Sequence, residues 1–396
     1  MRAPYAHEER AARIVAEPAD AREVAELVRA CETDGISLAA MGAARTLGEI
    51  RKTPVALGVS LNRMRRVIAY EPADMTVTVE GGVSVDELNR TMEPSGQRLP
   101  VDPQRPDLTC IGSLIAASHA GPLRLSEGTS RDLLIGIRYA GRGGKIVHGG
   151  GRVVKNVAGY DLMKVLGSSF GTLGIIVEAT FKVRPVPEHY AMALARYDDA
   201  ERTFEAARAL NDLPLAHLEV LSPAAAESCG FDGKYVLLAG LSGSRSEVAS
   251  QYAAAARMAP GARLIEKEDA RAAYACLRDF DFLSQSLAAR AAVAPAELAS
   301  AMLAADAEFV AHAGSGVAEL FLNRMPADVR ATVARWREIA RGRRGHLRVI
   351  HCDPEVRPSI ELFDLPNSGA MGLMRRLKTA FDPAGIFNPG CFVGEI

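Results

Sequence analysis

The first clear pattern of apolar and polar positions lies in residues 20–35. Its apolar members follow the helical spacing i, i+3, i+4, i+7 and are Val24, Leu27, Val28 and Cys31. Asp20 and Glu23 have the spacing of a capping box, and Gly35 is a natural end for the helix. The segment is therefore predicted to be an amphipathic helix.

An α/β order follows. The apolar run ISLAAMG leads into a loop of small residues, and Met75–Val79 has the composition of a strand. Gly81 and Gly82 make a turn, after which Ser84 with Glu87 caps a second helix that ends near Gly96. Connections in such α/β patterns commonly carry ligands.

Residues 100–174 are rich in glycine. LLIGIRYAGRGGKIVHGG predicts a hairpin with its turn at 141–144. In IIVEATFKVRP, Val177, Ala179, Phe181 and Val183 alternate with polar residues, which predicts a half-buried strand that ends at Pro185.

A second region is predicted after the stiff boundary at Pro185 and Pro187. Short β-like runs alternate with Ala-rich helical stretches between 189 and 355, which is typical of an α+β domain with a largely antiparallel sheet. The predicted domains are thus 1–188, 189–355 and a C-terminal segment, 356–396.

The composition excludes several classes of protein. The 396 residues contain 47 Lys and Arg against 48 Asp and Glu, a formal charge of −1, which argues against nucleic-acid binding and docking on an anionic membrane. There is neither a signal-peptide pattern nor an apolar run long enough for a transmembrane segment. Six cysteines without a CxxC pair argue against a disulfide framework, a zinc site and an iron–sulfur cluster. These patterns predict a cytoplasmic protein.

Three glycine-rich segments are candidates for chemistry. The loop 41–48 could place backbone N–H groups around a phosphate, and the stretch 103–121 suits a flat or anionic ligand. The third segment, 149–174, has a concentration of polar side chains in one loop: Arg152, Lys155, Asn156, Tyr160 and Asp161. Each also has a plain alternative: an ordinary turn, a buried helix of small residues, or a solvated loop with Asp161 as a helix cap.

The residues of these segments resemble the FAD-binding subunits of glycolate oxidase, within the PCMH-type (vanillyl-alcohol-oxidase-like) flavoprotein superfamily. The resemblance rests on GGRVVKNVAGYDLMKVLGSSFGTLGIIVEATFKVRPVP, on IGSLIAASHAGPLR and on the tail FDPAGIFNPG. It implies a two-lobed FAD-binding domain, an α+β cap domain and a C-terminal segment that returns to the FAD domain.

The resemblance also implies the residues that hold FAD. The pyrophosphate loop would comprise Gly42, Ala43, Ala44, Arg45, Thr46 and Leu47. A second segment would contribute Pro103, Thr109, Gly112, Ser113, Ala116, Ser118 and Gly121. The flavin side would be lined by Lys155, Asn156, Gly159, Tyr160 and Asp161, the adenosine side by Gly174, Ile175 and Ile176, and Asn388 would close the site.

The chain departs from the family pattern in three places. The family usually has a GGGT-type loop where this chain has Ala43 and Ala44, whose Cβ atoms crowd the pyrophosphate. Cys391 follows the terminal NPG in place of arginine. The sequence of the predicted cap also lacks the histidine-rich metal motif. His346 and His351 are five positions apart on a predicted strand, so they are expected to point to opposite faces and to be structural.

The expected function is that of an FAD-binding subunit of a multi-subunit glycolate (2-hydroxy-acid) oxidase, with a second FAD subunit and an iron–sulfur subunit as partners. The complex could bring the chain to the inner membrane. Tyr160 and His119 are the candidate catalytic bases. The alternatives are a stand-alone FAD oxidoreductase acting on another hydroxy acid or a polyol, and a non-catalytic scaffold with a degenerate flavin site.

Overall fold

The computed structural model describes residues 12–42, 54–151, 161–232 and 234–396. The chain forms two compact units. The first comprises Met1–Ala120, Gly128–Val186 and Leu365–Ile396, and the second comprises Gly121–Glu127 and Pro187–Asp364. The first unit thus contains both ends of the chain, and its C-terminal part begins at Leu365.

The elements of the first unit fall into two groups. The strands are β1 (Ala12–Ala16), β2 (Leu38–Met41), β3 (Val55–Ser60), β4 (Val67–Glu71), β5 (Thr76–Glu80), β6 (Gln97–Arg98), β7 (Leu134–Gly141), β8 (Lys145–Gly150), β9 (Ile175–Lys182) and β10 (Arg184–Pro185). The helices are α1 (Ala21–Asp34), α2 (Val85–Met92), α3 (Ile111–Ala116), α5 (Ser130–Leu133), α6 (Leu162–Leu166) and α13 (Ser368–Phe381); α4 (Arg124–Glu127) belongs to the second unit.

Two main sheets organise the described part of the first unit. A parallel sheet has the order β1-β3-β2, and an antiparallel sheet has the order β4-β5-β9-β7-β8; β6 and β10 form a small pair. One core lies where the antiparallel sheet meets α2 and α3, and another where α1 meets β2, β3 and the C-terminal tail. These are the two lobes that the resemblance implied.

The helix ends match the predicted positions, with one difference in detail. Asp20 accepts the backbone N–H groups of Arg22 and Glu23, and Gly35 ends α1 in the left-handed conformation at φ 65°. The reciprocal half of the capping box is missing, because the Glu23 carboxylate accepts from Ala19 N instead of Asp20 N. Likewise, Ser84 caps α2.

The strand β9 is more buried than its alternating sequence predicts. It lies between β5 and β7, and Thr180 is only 6% exposed. Its hydroxyl lies 2.9 Å from that of Thr78 on β5, so the two polar side chains satisfy each other inside the sheet. The predicted alternation holds at Glu178 and Lys182, which are half-buried, and fails at Thr180, where a neighbouring hydroxyl makes burial possible.

The C-terminal tail is pinned to the first unit by a network around Asp382. Its carboxylate accepts from the N–H groups of Ile386 and Phe387 at 3.0 and 2.9 Å. Lys378 Nζ donates to Asp382, to the Phe387 carbonyl and to the Thr172 carbonyl, at 2.6, 2.8 and 2.8 Å. Backbone hydrogen bonds then join Leu38 of β2 to Ile386 and Asn388. The motif FDPAGIFNPG is therefore a structural clasp.

The second unit is built on one long sheet. Its strands are β11 (His189–Tyr197), β12 (His217–Leu221), β13 (Tyr235–Gly243), β14 (Arg263–Glu266), β15 (Leu287–Ala292), β16 (Glu308–His312), β17 (Val317–Leu322) and β18 (His346–Cys352). The helices, besides α4, are α7 (Ala200–Leu210), α8 (Pro223–Ser228), α9 (Arg245–Met258), α10 (Lys267–Arg278), α11 (Leu298–Ala305) and α12 (Val329–Arg341).

The order of this sheet is β14-β11-β13-β12-β16-β17-β15-β18, and neighbouring strands are antiparallel, which confirms the predicted antiparallel α+β cap. The unit extends to Asp364 because the side chains of α12 hold that segment. Arg341 pairs with Asp364, and Arg337 donates to the carbonyls of Glu361 and Phe363.

A disulfide corrects one prediction. Cys229, at the end of α8, is bonded to Cys276 of α10, with their Cα atoms 5.6 Å apart. The two residues are 47 positions apart in sequence, so a local pattern such as the absence of a CxxC pair cannot show whether they are close in the folded protein. The other four cysteines, Cys31, Cys110, Cys352 and Cys391, are buried thiols. The scattered cysteines therefore no longer support the prediction of a cytoplasmic protein.

Candidate functional site

The end of β2 meets the start of α3, and this joins two of the predicted FAD segments. A Cβ atom added to Gly42 would lie 2.7 Å from Cys110 Sγ and 3.8 Å from Ser113 Cβ. Glycine is thus required where the chain leaves β2 for the predicted pyrophosphate loop. Gly42 and Ser113 are both half-buried, so this junction borders accessible space.

Backbone hydrogen bonds fix the start of α3. Gly112 N donates to Gly81 O at 2.8 Å, and Ile111 N donates to Val83 O at 2.9 Å. A Cβ on Gly112 would lie 3.3 Å from Gly81 O and 3.4 Å from Ile176 O, tighter than ordinary contact. Gly112 is therefore used for close packing onto the ends of β5 and β9.

The end of α3 meets the third predicted segment. Phe170 N donates to Ala116 O at 2.8 Å, and Ser168 N donates to Ile115 O at 3.2 Å. Ser118 follows with a positive φ of 50°, and His119 N returns to Leu114 O at 3.1 Å. Ala116, Ser118 and His119 are half-buried.

Asn388 links the tail to the same place. It is 1% exposed, has a positive φ of 42°, and its Nδ2 donates to Phe170 O. The side chain therefore supports the loop at 168–170 from behind. Asn388 is therefore buried behind this loop and does not lie at the exposed surface.

The other predicted cofactor residues occupy varied positions. Pro103 and Thr109 are buried, and Thr109 Oγ1 donates to Gln104 O at 2.9 Å. Asp161 is exposed, caps α6 and pairs with Lys164 at 2.8 Å, an interaction that lowers its pKa. Gly121 begins the short stretch that belongs to the second unit.

The start of β9 provides backbone only. The side chains of Ile175 and Ile176 are 0% and 4% exposed and lie in the cores. Gly174 has a φ of 150°, and a Cβ there would come within 2.7 Å of the Tyr139 ring and 2.9 Å of Ala140 O. Any contact of this segment with a cofactor would therefore be made by main-chain atoms.

The remaining predicted residues lie outside the described part of the chain. They are Ala43, Ala44, Arg45, Thr46, Leu47, Lys155, Asn156, Gly159 and Tyr160. In the sequence, the residues from Ala43 to Leu47 follow Gly42, and those from Lys155 to Tyr160 precede Asp161.

The described residues fit FAD. The small residues Ser113, Ala116, Ala117 and Ser118 are half-buried beside the Gly42 junction, where a side chain on Gly42 would collide with Cys110 Sγ. Small side chains at half-buried positions leave room for the flat ring of such a cofactor. No group of three or more potential metal ligands occurs among the described residues.

Comparison with known proteins identifies two domains. The FAD binding domain family matches residues 12–150, and the C-terminal domain of FAD linked oxidases matches residues 364–391. The chain therefore contains an FAD binding domain and the C-terminal domain found in FAD linked oxidases. Among solved structures, p-cresol methylhydroxylase aligns with a TM-score of 0.72 at 15% identity over 95% of this chain and 87% of that one, which shows the same PCMH-type fold.

Curated relatives match part of the length of the chain. Glycolate oxidase subunit GlcD of Bacillus subtilis is 30% identical over 51% of this chain and 42% of its own, and GlcE of Escherichia coli is 36% identical over 31% and 35%. The mitochondrial D-lactate dehydrogenase (cytochrome) of Arabidopsis thaliana is 29% identical over 52% and 37%. The matches span less than half the length of these relatives.

A second polar cluster, which sequence reasoning missed, crosses the sheet of the second unit. We name it the strand network; it comprises Tyr190, His217, Glu219, Arg290, His312, Glu319 and Arg348. The register pairs Glu219 with His312, Glu319 with Arg290, and Arg290 with Arg348, so these side chains share one face.

The distances show how tightly the strand network is bonded. His312 Nδ1 lies 2.6 Å from Glu219 Oε2, and its Nε2 lies 3.1 Å from Glu319 Oε2. Arg290 Nε donates to Glu319 Oε1 at 2.6 Å. At the other end, the Tyr190 hydroxyl lies 2.7 Å from His217 Nε2, and His217 Nδ1 lies 3.7 Å from Glu219 Oε1.

The two histidines of the strand network differ in charge. The carboxylates of Glu219 and Glu319 outweigh burial and raise the pKa of His312 to about 10. Burial lowers the pKa of His217 to about 3, with a further contribution from charged His312. Arg290 and His312 likewise overcome burial and lower the pKa of Glu319 to about 2.

A signal for the strand network existed in the sequence. In LAHLEVL, His217 and Glu219 occupy the same alternating positions as Leu221, which faces the core. FVAHAG and VAELFL each carry one ionisable residue in an apolar strand. Single charges in successive buried strands indicate a cross-strand network.

His346 and His351 correct another prediction. They pair with Ala292 and Ala288, which lie four positions apart on β15 and so face the same side. A register shift between Ala288 and Ala289 adds one residue to β18 and reverses the expected alternation.

Proposed function

We propose that this protein is the FAD-binding subunit of an oxidoreductase that converts 2-hydroxy acids such as glycolate into 2-oxo acids. The observation that carries the proposal is the convergence of the segments at Gly42, Ser113, Ala116 and Phe170 within the domain that matches the FAD binding family. The relatives, two glycolate oxidase subunits and a D-lactate dehydrogenase, suggest the substrate class of this proposal.

The chain's own residues would bind and orient the reactants. Bound FAD supplies a two-electron acceptor for the carbon that carries the hydroxyl group. Oxidation also releases the hydroxyl proton, and His119 is the candidate to hold it because it follows the Ser113–Ser118 run and is half-buried. Tyr160, outside the described residues, is the other candidate.

We infer that partner proteins receive the electrons. Among the described residues no cluster of metal ligands occurs, and the sequence offers no cysteine spacing for an iron–sulfur centre. A second flavoprotein and an iron–sulfur protein are therefore part of the proposal. No described helix is long and apolar enough to cross a membrane.

The cofactor is tested on the full chain, purified after expression. Bound flavin should be visible by absorbance and released as FAD on denaturation. The variant Ala116→Leu places bulk in the half-buried run and should reduce FAD occupancy, whereas Gly372→Leu, at a position with no atom within 4 Å of the added Cβ, should retain it. A colourless protein that also fails to bind added FAD would refute the proposal.

The activity and the partners need a separate assay. Glycolate and D-lactate should reduce an artificial acceptor when the chain is co-expressed with its flavoprotein and iron–sulfur partners. Turnover by the isolated chain would favour a stand-alone enzyme. Co-purification of partners with a flavin-free chain would instead favour a scaffold.

A further inference from the structure

A cavity of about 520 Å³ is present in the first unit, where it is lined by the start of α1 and by residues of β4, β5, β7 and β9. Its volume is within the range of small-molecule binding sites. We name it the sheet cavity. The charged residues that line it are Asp20, Arg22, Arg66, Glu80, Arg138 and Glu178.

The sheet cavity lies on the side of the antiparallel sheet that faces away from α3. Val79 of β5 packs in the core that contains α3, and the next residue of the strand, Glu80, points to the other side. On that side the cavity is bordered by α1, which packs in the second core of the unit. None of the predicted FAD residues that the structure describes lines the cavity, so it is a separate candidate site.

A bulge in β9 turns two successive residues toward the sheet cavity. Arg138 of β7 pairs with Glu178. The next residue of β7, Tyr139, pairs with Ile176, which leaves Val177 as an extra residue in β9. Val177 and Glu178 both line the cavity, although successive residues of a regular strand point to opposite faces. The bulge therefore places an apolar side chain beside a carboxylate.

The ion pairs of the sheet cavity leave polar atoms available to a ligand. Arg138 Nη1 donates to Glu178 Oε2 at 2.8 Å, and the two side chains are 41% and 17% exposed. Among the described residues, Glu178 Oε1 and the Nε and Nη2 groups of Arg138 make no further hydrogen bond. Arg66 donates Nε and Nη2 to Glu80 at 3.1 and 2.7 Å, which leaves its Nη1. The cavity thus offers both N–H donors and a carboxylate oxygen.

The charges that line the sheet cavity balance. Three arginines stand against three carboxylates, so the formal sum is zero. A ligand with a net charge would leave that charge uncompensated in the cavity, whereas a zwitterion keeps the balance. Arg138 and Glu178 are directly paired on neighbouring strands, so a ligand with both charges on one carbon atom can contact both side chains. Apolar surface beside them comes from Met64, Val67 and Val177.

We propose that the sheet cavity binds a small zwitterion with an apolar side chain, of the α-amino-acid class. Its carboxylate accepts from the available N–H groups of Arg138, and its ammonium group donates to Glu178 Oε1. Both contacts are charge-assisted hydrogen bonds. The side chain of the ligand packs against Met64, Val67 and Val177. This site is independent of the proposed oxidation.

The test is calorimetric titration of the full-length protein with L-leucine and two matched probes: isocaproate, which lacks the ammonium group, and isoamylamine, which lacks the carboxylate. Each probe should bind about tenfold to a hundredfold more weakly than leucine, the range expected for loss of a charged hydrogen bond. Glu178→Gln should abolish the preference for leucine over isocaproate, and Arg138→Gln should abolish the preference over isoamylamine. Glu87→Gln neutralises an ion-paired glutamate of the same unit outside the cavity and should leave all three affinities unchanged.

The inference is wrong if the parent protein does not bind leucine, or if either probe binds as tightly as leucine. It is also wrong if folded Glu178→Gln keeps the preference of the parent, or if Glu87→Gln loses it equally. Should one cavity variant fail to fold, the other decides, because each is compared with its own probe. The titration reads neither flavin nor turnover, so its result is distinguishable from failure of the proposed oxidation.

Discussion

Replacement of Lys378 with methionine should unfold the tail clasp and destabilise the first unit. The ammonium group makes three contacts within 2.8 Å, with Asp382 and with the carbonyls of Thr172 and Phe387. The side chains of Lys378 and Asp382 are 14% and 1% exposed, so water cannot easily replace the lost ammonium donor. Burial lowers the pKa of Lys378, and the hydrogen bond from its ammonium group to Asp382 opposes that shift.

The expected loss follows from what remains behind. Lys378→Met leaves a buried carboxylate that keeps its two backbone donors but no cation, together with two carbonyls that lose a donor. Breaking a buried pair in this manner costs about 3–5 kcal/mol. Lys164→Met is the matched control, since its pair with Asp161 is 60% and 39% exposed and should contribute at most about 1 kcal/mol.

Urea unfolding of the FAD-loaded protein, followed by flavin and tryptophan fluorescence, measures both variants. The flavin signal should report the first unit, whereas Trp336 lies in the second. A Lys378→Met protein whose flavin transition matches that of Lys164→Met would show that the clasp does not stabilise the fold. Asp382→Asn in the Lys378→Met background should recover part of the loss, because it removes the unpaired charge.

Three further predictions concern the second unit. The pKa of His312 is raised to about 10 from its ordinary value of 6.5, so its contribution to stability is complete below pH 6.5 and is lost as the pH rises toward 10. The loss is at most about 5 kcal/mol, and His312→Gln should remove most of the decrease in unfolding free energy over this pH range. Gly240→Ala should destabilise by about 1–3 kcal/mol, because its Cβ would lie 2.3 Å from the His217 ring; Gly372→Ala, in open helix, should instead be neutral or stabilising in the same thermal-melt assay. Reduction of Cys229–Cys276 should lower stability by about 4 kcal/mol on the loop-entropy estimate for a separation of 47, and a reductant that leaves the melting temperature unchanged would contradict it.

The features that could be predicted from the sequence depend on short stretches of chain. The caps at Asp20, Gly35 and Ser84 follow from side chains and backbone groups within three or four residues, and the hairpin of β7 and β8 follows from two apolar runs around glycines. Family resemblance supplied the FAD-binding fold because its motifs span most of the first unit. The fold class was correct for the same reason.

The features that were missed depend on partners distant in sequence. Thr180 is buried because Thr78, 102 residues away, supplies its hydrogen bond, and Cys229 meets Cys276 only after α8 and α10 pack on the sheet. No window of sequence contains both members of either pair. The same holds for His346 and His351, where one register shift in the strand decides the face.

Asn388 in the tail has a structural contact that the resemblance did not describe. The resemblance implies that Asn388 closes the cofactor site, and the structure shows its side chain 1% exposed and bonded to the Phe170 carbonyl, beneath the loop that meets Ala116. A residue can be part of a family motif because it holds the wall of a site. Asn388→Ala should therefore loosen the loop at 168–170 and weaken FAD binding indirectly, with a loss of thermal stability in the FAD-free protein as well. A variant that lowers FAD affinity but leaves the FAD-free protein as stable as the parent would instead assign Asn388 direct contact with the cofactor.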